Sequence, residues 1–262
     1  MLSVRSRMKA ATVTGWFGRA RRAPLIRRQA LMRISVVVAA TAMLMASTAL
    51  PARVIASVSA DPCPSIQVVF ARGTGEPPGA GRVGQAFIDS LQPLVRGNSV
   101  AVYAVDYPAS RDFLRATDGA DDASAFVQNI AASCPDTRIV LGGYSQGAAV
   151  MDIVTVASQP VFGFAHPMPA DVARHVAAVA VFGNPSNRIG GPLSALSPLY
   201  ADMTIDLCNG GDPVCSNGND VSAHSLYVES GMATRAASLV AQKLSAPARA
   251  PQETTINSSE FS

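Results

Sequence analysis

Charge is scarce in this sequence: Asp, Glu, Lys and Arg together make up 15% of its 262 residues, against a hydrophobic fraction of 48%. A chain of that composition can bury a core, which excludes disorder throughout and leaves room for one large domain or two small ones. Histidine occurs three times, so chemistry that needs an imidazole has few candidates. Acidic residues are missing from positions 1–60, which hold ten of the 21 basic ones. The formal net charge of +3 therefore arises from that end, whereas residues 61–262, with 11 basic and 18 acidic residues, carry −7. An acidic body repels phosphate backbones, and nucleic-acid binding is excluded as a leading function. C-x-x-C spacing is also absent, which makes a zinc site a poor reading of the four cysteines.

Residues 1–60 read as an N-terminal extension with an export signal. Arg27, Arg28 and Arg33 precede an uncharged run from Ile34 to Leu50, and Val58-Ser59-Ala60 supplies the small residues of a cleavage site. Cleavage after Ala60 would start the mature chain at Asp61 and remove Trp16, the one tryptophan. An uncleaved anchor is the competing reading, with a run at the short edge of what spans a bilayer. The Arg-Arg pairs at 21–22 and 27–28 suggest twin-arginine export only weakly. The expected location is secreted or extracellular, with association to the cell envelope as the variant.

Cys63, Cys134, Cys208 and Cys215 all lie behind that signal, an even number that predicts two disulfides. Three pairings are possible. The short Gly-rich segment between Cys208 and Cys215 favours their closure, leaving Cys63 for Cys134.

From Pro64 onward, continuous apolar runs alternate with helix-like stretches, as expected for strands covered on both faces. Strands are expected at 66–71, 100–105, 138–142, 176–182 and 203–207, and helices at 82–92, 119–132, 147–157 and 231–244. Gly79, Gly81 and Asp118 mark helix starts and Pro135 a stop. Right-handed crossovers then give a parallel sheet with helices on both faces, an α/β fold. The tail, 245–262, is rich in Ala, Pro, Ser and Thr without periodicity and is expected to be disordered.

Gly143-Tyr144-Ser145-Gln146-Gly147 joins the third strand to the third helix. Strand, G-x-S-x-G, helix is the context in which the serine occupies a strained turn at the strand's carboxyl end, and the helix N-terminus offers N–H groups to an oxyanion. A serine hydroxyl needs a base. His166 sits in a proline-rich loop, and His175 opens the fourth strand at the sheet edge opposite Ser145. His224 follows the last strand on the nucleophile's side and is the expected base. An acid between the two in chain order comes from Asp152, Asp171, Asp202, Asp206, Asp212 and Asp220. Asp212 is best placed, in Cys208-Asn209-Gly210-Gly211-Asp212-Pro213-Val214-Cys215 past the last strand, where Pro213 holds its backbone extended. Asp220 is the alternative.

Ala71-Arg72-Gly73-Thr74-Gly75-Glu76, Gly143-Tyr144-Ser145-Gln146-Gly147, Asp212-Pro213-Val214-Cys215 and His224, in that order and with both cysteine pairs, resemble the cutinase family of secreted serine esterases, which includes acetylxylan esterases. The resemblance covers residues 61–244. It implies a three-layer α/β/α sandwich of cutinase type around a central, mainly parallel five-stranded sheet. It implies Ser145 as nucleophile with Asp212 and His224 as partners, and disulfides Cys63–Cys134 and Cys208–Cys215. The implied oxyanion hole comprises Thr74 and the N–H of Gln146, and the position of Gln146 after the nucleophile supports that donor independently. Arg72 is expected to brace the loop through a salt bridge.

The expected reaction is ester hydrolysis through an acyl-enzyme, requiring no metal or organic cofactor. The expected partner is an ester substrate, lipid or polymer, with no nucleic acid and no obligate protein partner, and the chain is expected to be a monomer. Phe162, Phe164, Met168, Val221 and Leu226 are candidate walls of an acyl cleft. The segments 158–170 and 183–200 are too short and too broken by Gly and Pro for a large lid. Short- to medium-chain esters, an acetylxylan-type substrate and a non-catalytic surface protein are the three functional readings.

Overall fold

A computed structural model describes residues 63–161 and 163–247. The expected signal peptide, Phe162 and nearly all of the expected tail lie outside the described residues. In chain order the elements are β1 (Ile66–Ala71), α1 (Gly81–Leu91), β2 (Val100–Ala104), α2 (Ala116–Ser133), β3 (Arg138–Tyr144), α3 (Gln146–Val156), β4 (Val176–Phe182), α4 (Ser186–Ile189), α5 (Leu193–Leu196), β5 (Thr204–Leu207) and α6 (Met232–Ser245). The five strands form one sheet in the order β2-β1-β3-β4-β5, and every neighbouring pair is parallel.

The uninterrupted apolar runs have the reason expected of them. Val69 and Ala71 of β1, Leu141 of β3 and Val179 and Val181 of β4 face one hydrophobic core, shared with α2 and α3. Their neighbours Val68, Phe70, Val140, Ala180 and Phe182 face a second core, shared with α1 and α6. Successive side chains point to opposite faces, so a strand buried twice over is apolar at nearly every position, and the buried Gln67 of β1 meets its need by donating from Nε2 to the Val68 carbonyl at 3.1 Å. The result is a three-layer α/β/α sandwich.

Helix α2 begins at Ala116, three residues before its expected start, and Asp118 lies in its first turn. Gly119 is interior to the helix, where a Cβ would meet the Tyr107 ring and Val150. It serves close packing against α3, and a break there would separate the two helices.

Both disulfides join the expected partners, Cys63–Cys134 with a Cα–Cα distance of 5.5 Å and Cys208–Cys215 with 5.8 Å. The first closes a sequence separation of 71 residues, tying the segment before β1 to the end of α2. Closure of a loop that long contributes about 4 kcal/mol in the chain-entropy account.

The chain places β2 on one side of β1 and β3 on the other, so its direction across the sheet reverses between β1 and β3. In open parallel sheets the carboxyl ends of strands at such a reversal form a crevice. The Thr74 loop follows β1 and Ser145 follows β3, which puts both at that crevice.

Two features of this architecture give tests. Gly147 packs against the backbone of β1, and a Cβ there would clash with the Ala71 carbonyl and lie 2.7 Å from the Arg72 oxygen. Backbone cannot yield as a side chain does, so Gly147→Ala should cost about 3 kcal/mol, read as a drop in Tm. Asp152 on α3 is half-buried, and its Oδ1 accepts from Asn184 Nδ2 at 2.9 Å. Burial pushes its carboxyl up to about 6, against the opposing hydrogen bond from Asn184. The folded state then holds a proton that the unfolded state releases, so this group's contribution to stability falls as pH rises from about 4 to about 6. Asp152→Asn should therefore raise stability at pH 8, by up to about 3 kcal/mol, and change it little at pH 4. Thermal melts at the two pH values check this.

Candidate active site

Ser145 stands between β3 and α3 with φ 57° and ψ −116°, a left-handed backbone that a residue bearing a Cβ seldom adopts. Its N–H donates to Phe182 O at 2.9 Å, and its carbonyl accepts from Ala148 and Ala149 as α3 begins. The flanking glycines make the turn possible. A Cβ on Gly143 would strike the backbone of Gly147 and Ala148, and one on Gly147 would strike β1. The strand runs to Tyr144, two residues further than its apolar run indicates, which carries the hydroxyl to the very end of β3.

His224 lies on a 3₁₀ turn, Val221–Ser225, beyond β5. Its Nε2 is 2.8 Å from Ser145 Oγ, and its Nδ1 is 2.7 Å from Asp212 Oδ2. Several contacts fix the turn. Tyr144 Oη donates to the His224 carbonyl at 2.5 Å, and Arg82 of α1 donates to the Ser225 carbonyl. Asp220 caps the turn by accepting from Ser222 N–H at 2.9 Å. The alternative acid thus holds the segment that bears the imidazole without touching the imidazole itself.

Asp212 is completely buried. Its Oδ1 accepts from Val214 N–H at 2.8 Å, and its Oδ2 accepts from the Tyr227 hydroxyl at 2.7 Å as well as facing His224. The disulfide ring encloses this loop, and Arg188 of α4 grips it from outside, donating to Pro213 O at 2.7 Å and Ser216 O at 2.9 Å. The other aspartates are engaged elsewhere. Asp152 and Asp206 bind Asn184 and Asn187, and exposed Asp171 pairs with Arg174. Asp202 belongs to the 3₁₀ turn that precedes β5, at the far end of the sheet. His175 is buried where β4 begins, and exposed His166 pairs with Asp121 at 3.0 Å.

Thr74 is exposed on the loop after β1, and its Oγ1 donates to Gln146 Oε1 at 3.1 Å. Gln146 is the first residue of α3, so its N–H has no carbonyl one helical turn back to occupy it. The loop is held from below. Glu76 accepts from Gly73 N–H and Arg82 N–H, both at 2.7 Å, and Gly75 N–H donates to Ala109 O at 2.6 Å.

Arg72 differs from expectation. It braces the loop through carbonyls rather than a salt bridge, donating to Glu76 O at 2.9 Å, Val105 O at 3.3 Å and Tyr107 O at 2.5 Å, with its guanidinium 5.1 Å from the centre of the Tyr107 ring. Glu76 faces the backbone N–H groups, which leaves the buried cation to carbonyl dipoles and the ring.

The expected acyl walls divide. Phe164 and Met168 are buried in the core shared with α2 and α3 and line no cleft. Val221 and Leu226 are exposed on either side of His224. Gln146 Nε2 donates to Asp112 O at 3.4 Å, so the turn that follows Asp112, with exposed Phe113 and Leu114, begins beside the elbow. That pair belongs to no motif or periodic run in the sequence. Ser145 is half-buried and Thr74 exposed, so the site opens at the surface.

A buried carboxylate, an imidazole and a hydroxyl in hydrogen-bonded series can raise the nucleophilicity of the hydroxyl and stabilise the imidazolium that results. The cutinase family model matches residues 62–244. Phospholipase Culp4 of Mycobacterium tuberculosis is 54% identical over 199 residues, covering 76% of this chain and 87% of that protein. Carboxylesterase Culp1 of the same species is 49% identical over 223 residues, covering 82% and 97%. Among solved structures, the Trichoderma reesei cutinase in complex with a phosphonate inhibitor aligns with a TM-score of 0.57 at 33% identity, over 71% of this chain and 79% of that one. The catalytic core domain of the Trichoderma reesei acetyl xylan esterase aligns with a TM-score of 0.59 at 25% identity, over 69% and 99%. The match across the whole sheet-bearing region, together with the hydroxyl–imidazole–carboxylate series at its crevice, establishes that this chain belongs to the cutinase family and is a serine esterase.

Proposed function

We propose that Ser145 is the nucleophile, His224 the general base, Asp212 the acid partner, and Thr74 with the Gln146 N–H the oxyanion hole. The observation that carries the assignment is the unbroken series from Ser145 Oγ to His224 Nε2 at 2.8 Å and from His224 Nδ1 to Asp212 Oδ2 at 2.7 Å. Ser145 Oγ attacks the ester carbonyl while Nε2 takes its proton. The oxyanion forms beside Thr74 and the start of α3, and the imidazolium gives its proton to the departing alcohol as the ester C–O bond breaks. Water, deprotonated by His224, then releases the acid and restores the hydroxyl. The Thr74 hydroxyl now turned to Gln146 Oε1 is a rotation away from the oxyanion.

The substrate on this reading is an ester of short to medium acyl chain in a lipid or a polyester. Phe113 and Leu114, on the turn after the Asp112 that Gln146 contacts, and Val221 and Leu226, flanking His224 in the chain, are exposed apolar residues, and an apolar surface there suits an acyl chain better than an acetylated polar polymer. The similarity to a protein named a phospholipase supports a lipid ester. Residues 61–244 form the catalytic domain on this reading, behind an export signal in 1–60 and ahead of a tail from 245. Two disulfides fit an oxidising compartment outside the cytoplasm.

A fluorophosphonate probe should label Ser145, and Ser145→Ala should abolish both labelling and ester turnover; an unlabelled protein, or equal turnover in the variant, would leave a non-catalytic scaffold. With p-nitrophenyl esters from acetate to palmitate and acetylated xylan alongside, turnover should peak at short to medium chains. Strict preference for acetate would transfer the assignment to the acetylxylan type.

A further inference from the structure

Tyr227 stands three residues after His224, and nothing in the sequence marks it. In the fold it is completely buried, with its ring set edge-on to His224, Phe182 and Tyr144. Its hydroxyl accepts from Asn209 N–H at 3.1 Å and donates to Asp212 Oδ2 at 2.7 Å. The disulfide sulfur of Cys215, which can only accept, also lies 3.3 Å from this oxygen. With a backbone donor on one side, the single phenolic proton goes to the nearer and stronger acceptor, the carboxylate at 2.7 Å, and to the same oxygen that faces His224 Nδ1. Burial, more than the neighbouring carboxylate, holds the phenol well above its ordinary range, so it remains a donor at every pH at which the enzyme works.

We propose that Tyr227 is a positioning residue of the esterase site: it anchors Asp212 Oδ2 and shares its charge, so limiting how strongly the carboxylate attracts a proton onto His224. The proposal rests on the assignment of Ser145, His224 and Asp212 above. A hydrogen bond to a carboxylate draws charge away from its other contacts. Without the phenolic donor, Oδ2 would serve His224 alone and favour the imidazolium more, while the carboxylate would lose one of its two fixed anchors, the other being Val214 N–H on Oδ1. An imidazolium cannot accept the Ser145 proton, so a stronger pull from Asp212 shifts activity to higher pH. The remaining charged and titratable groups around the His224 turn are Tyr144, Arg82 with its partner Glu229, Glu76 and Asp220. None of them bonds to the hydroxyl of Tyr227, and all are retained when that hydroxyl is removed.

The test is Tyr227→Phe in the full chain, which keeps the ring and its packing. The acidic limb of kcat/KM should move up by about half to one pH unit, and the plateau should fall about three- to tenfold through kcat with KM little changed. In parallel, NMR titration of the His224 ring, one of only three histidines, should show its midpoint displaced in the same direction. This readout does not depend on turnover, so it separates failure of this proposal from failure of the catalytic assignment, which Ser145→Ala addresses. Tyr144→Phe, which removes a hydroxyl bonded to the His224 carbonyl and not to Asp212, should leave the limb in place. A Tyr227→Phe limb that stays in place or moves down, or an equal displacement in Tyr144→Phe, would reduce Tyr227 to a packing residue and overturn the proposal.

Discussion

A carboxylate with no exposure to water is the constraint on which the rest of this structure turns. Asp212 would be costly to bury alone, since an unpaired charge in a protein interior loses several kcal/mol of hydration. Val214 N–H, the Tyr227 hydroxyl and His224 Nδ1 all converge on it. Those donors come from different stretches of chain, so satisfying the charge forces the loop after β5, the His224 turn and the approach to α6 into one arrangement. The Cys208–Cys215 ring and the Arg188 grip hold the loop that carries the carboxylate. The imidazole is thereby oriented before any substrate arrives, and its far nitrogen meets Ser145.

The sheet supplies the other half of the geometry. All its strands are parallel, so the loops after β1, β3 and β5 emerge on one rim. The crossing from β1 to β2 on one side and to β3 on the other opens the crevice where Thr74 and Ser145 meet. Glycines set the spacing there. At Gly143 and Gly147 the helix and the first strand approach so closely that a single methyl would strike backbone, and the serine accepts a strained conformation that bulkier flanks would forbid. Arg72, buried against carbonyls, and Glu76, bridging the Thr74 loop to α1, hold the Thr74 loop on the rim where Ser145 stands.

Much of this was legible in the sequence because the physics is local or periodic. Mostly apolar runs marked strands covered on two faces, and each of the five lies within two residues of its expected span. The strand–serine–helix context located the elbow, and chain order with sheet edge separated His224 from His166 and His175. What escaped was decided by side-chain packing. Phe164 and Met168 read as walls of a cleft but fill the core beside α2 and α3, since an apolar residue in a loop carries no sign of which way it faces. Phe113 and Leu114, on the turn after the Asp112 that Gln146 contacts, belong to no motif read from the sequence. For Arg72 the sequence offered a salt bridge bracing the loop, whereas Glu76 faces backbone N–H groups and the guanidinium bonds carbonyls. Tyr227 was invisible, for its importance lies in the direction of one hydroxyl proton.

On the proposed assignment, the Asp212 carboxylate holds His224 in the tautomer and orientation that serve Ser145. Turnover of a p-nitrophenyl ester by Asp212→Asn at neutral pH tests it most directly, because the amide keeps the shape and removes the charge. kcat should fall about 10³–10⁴-fold with the fold intact. Turnover within tenfold of the parent enzyme would contradict it.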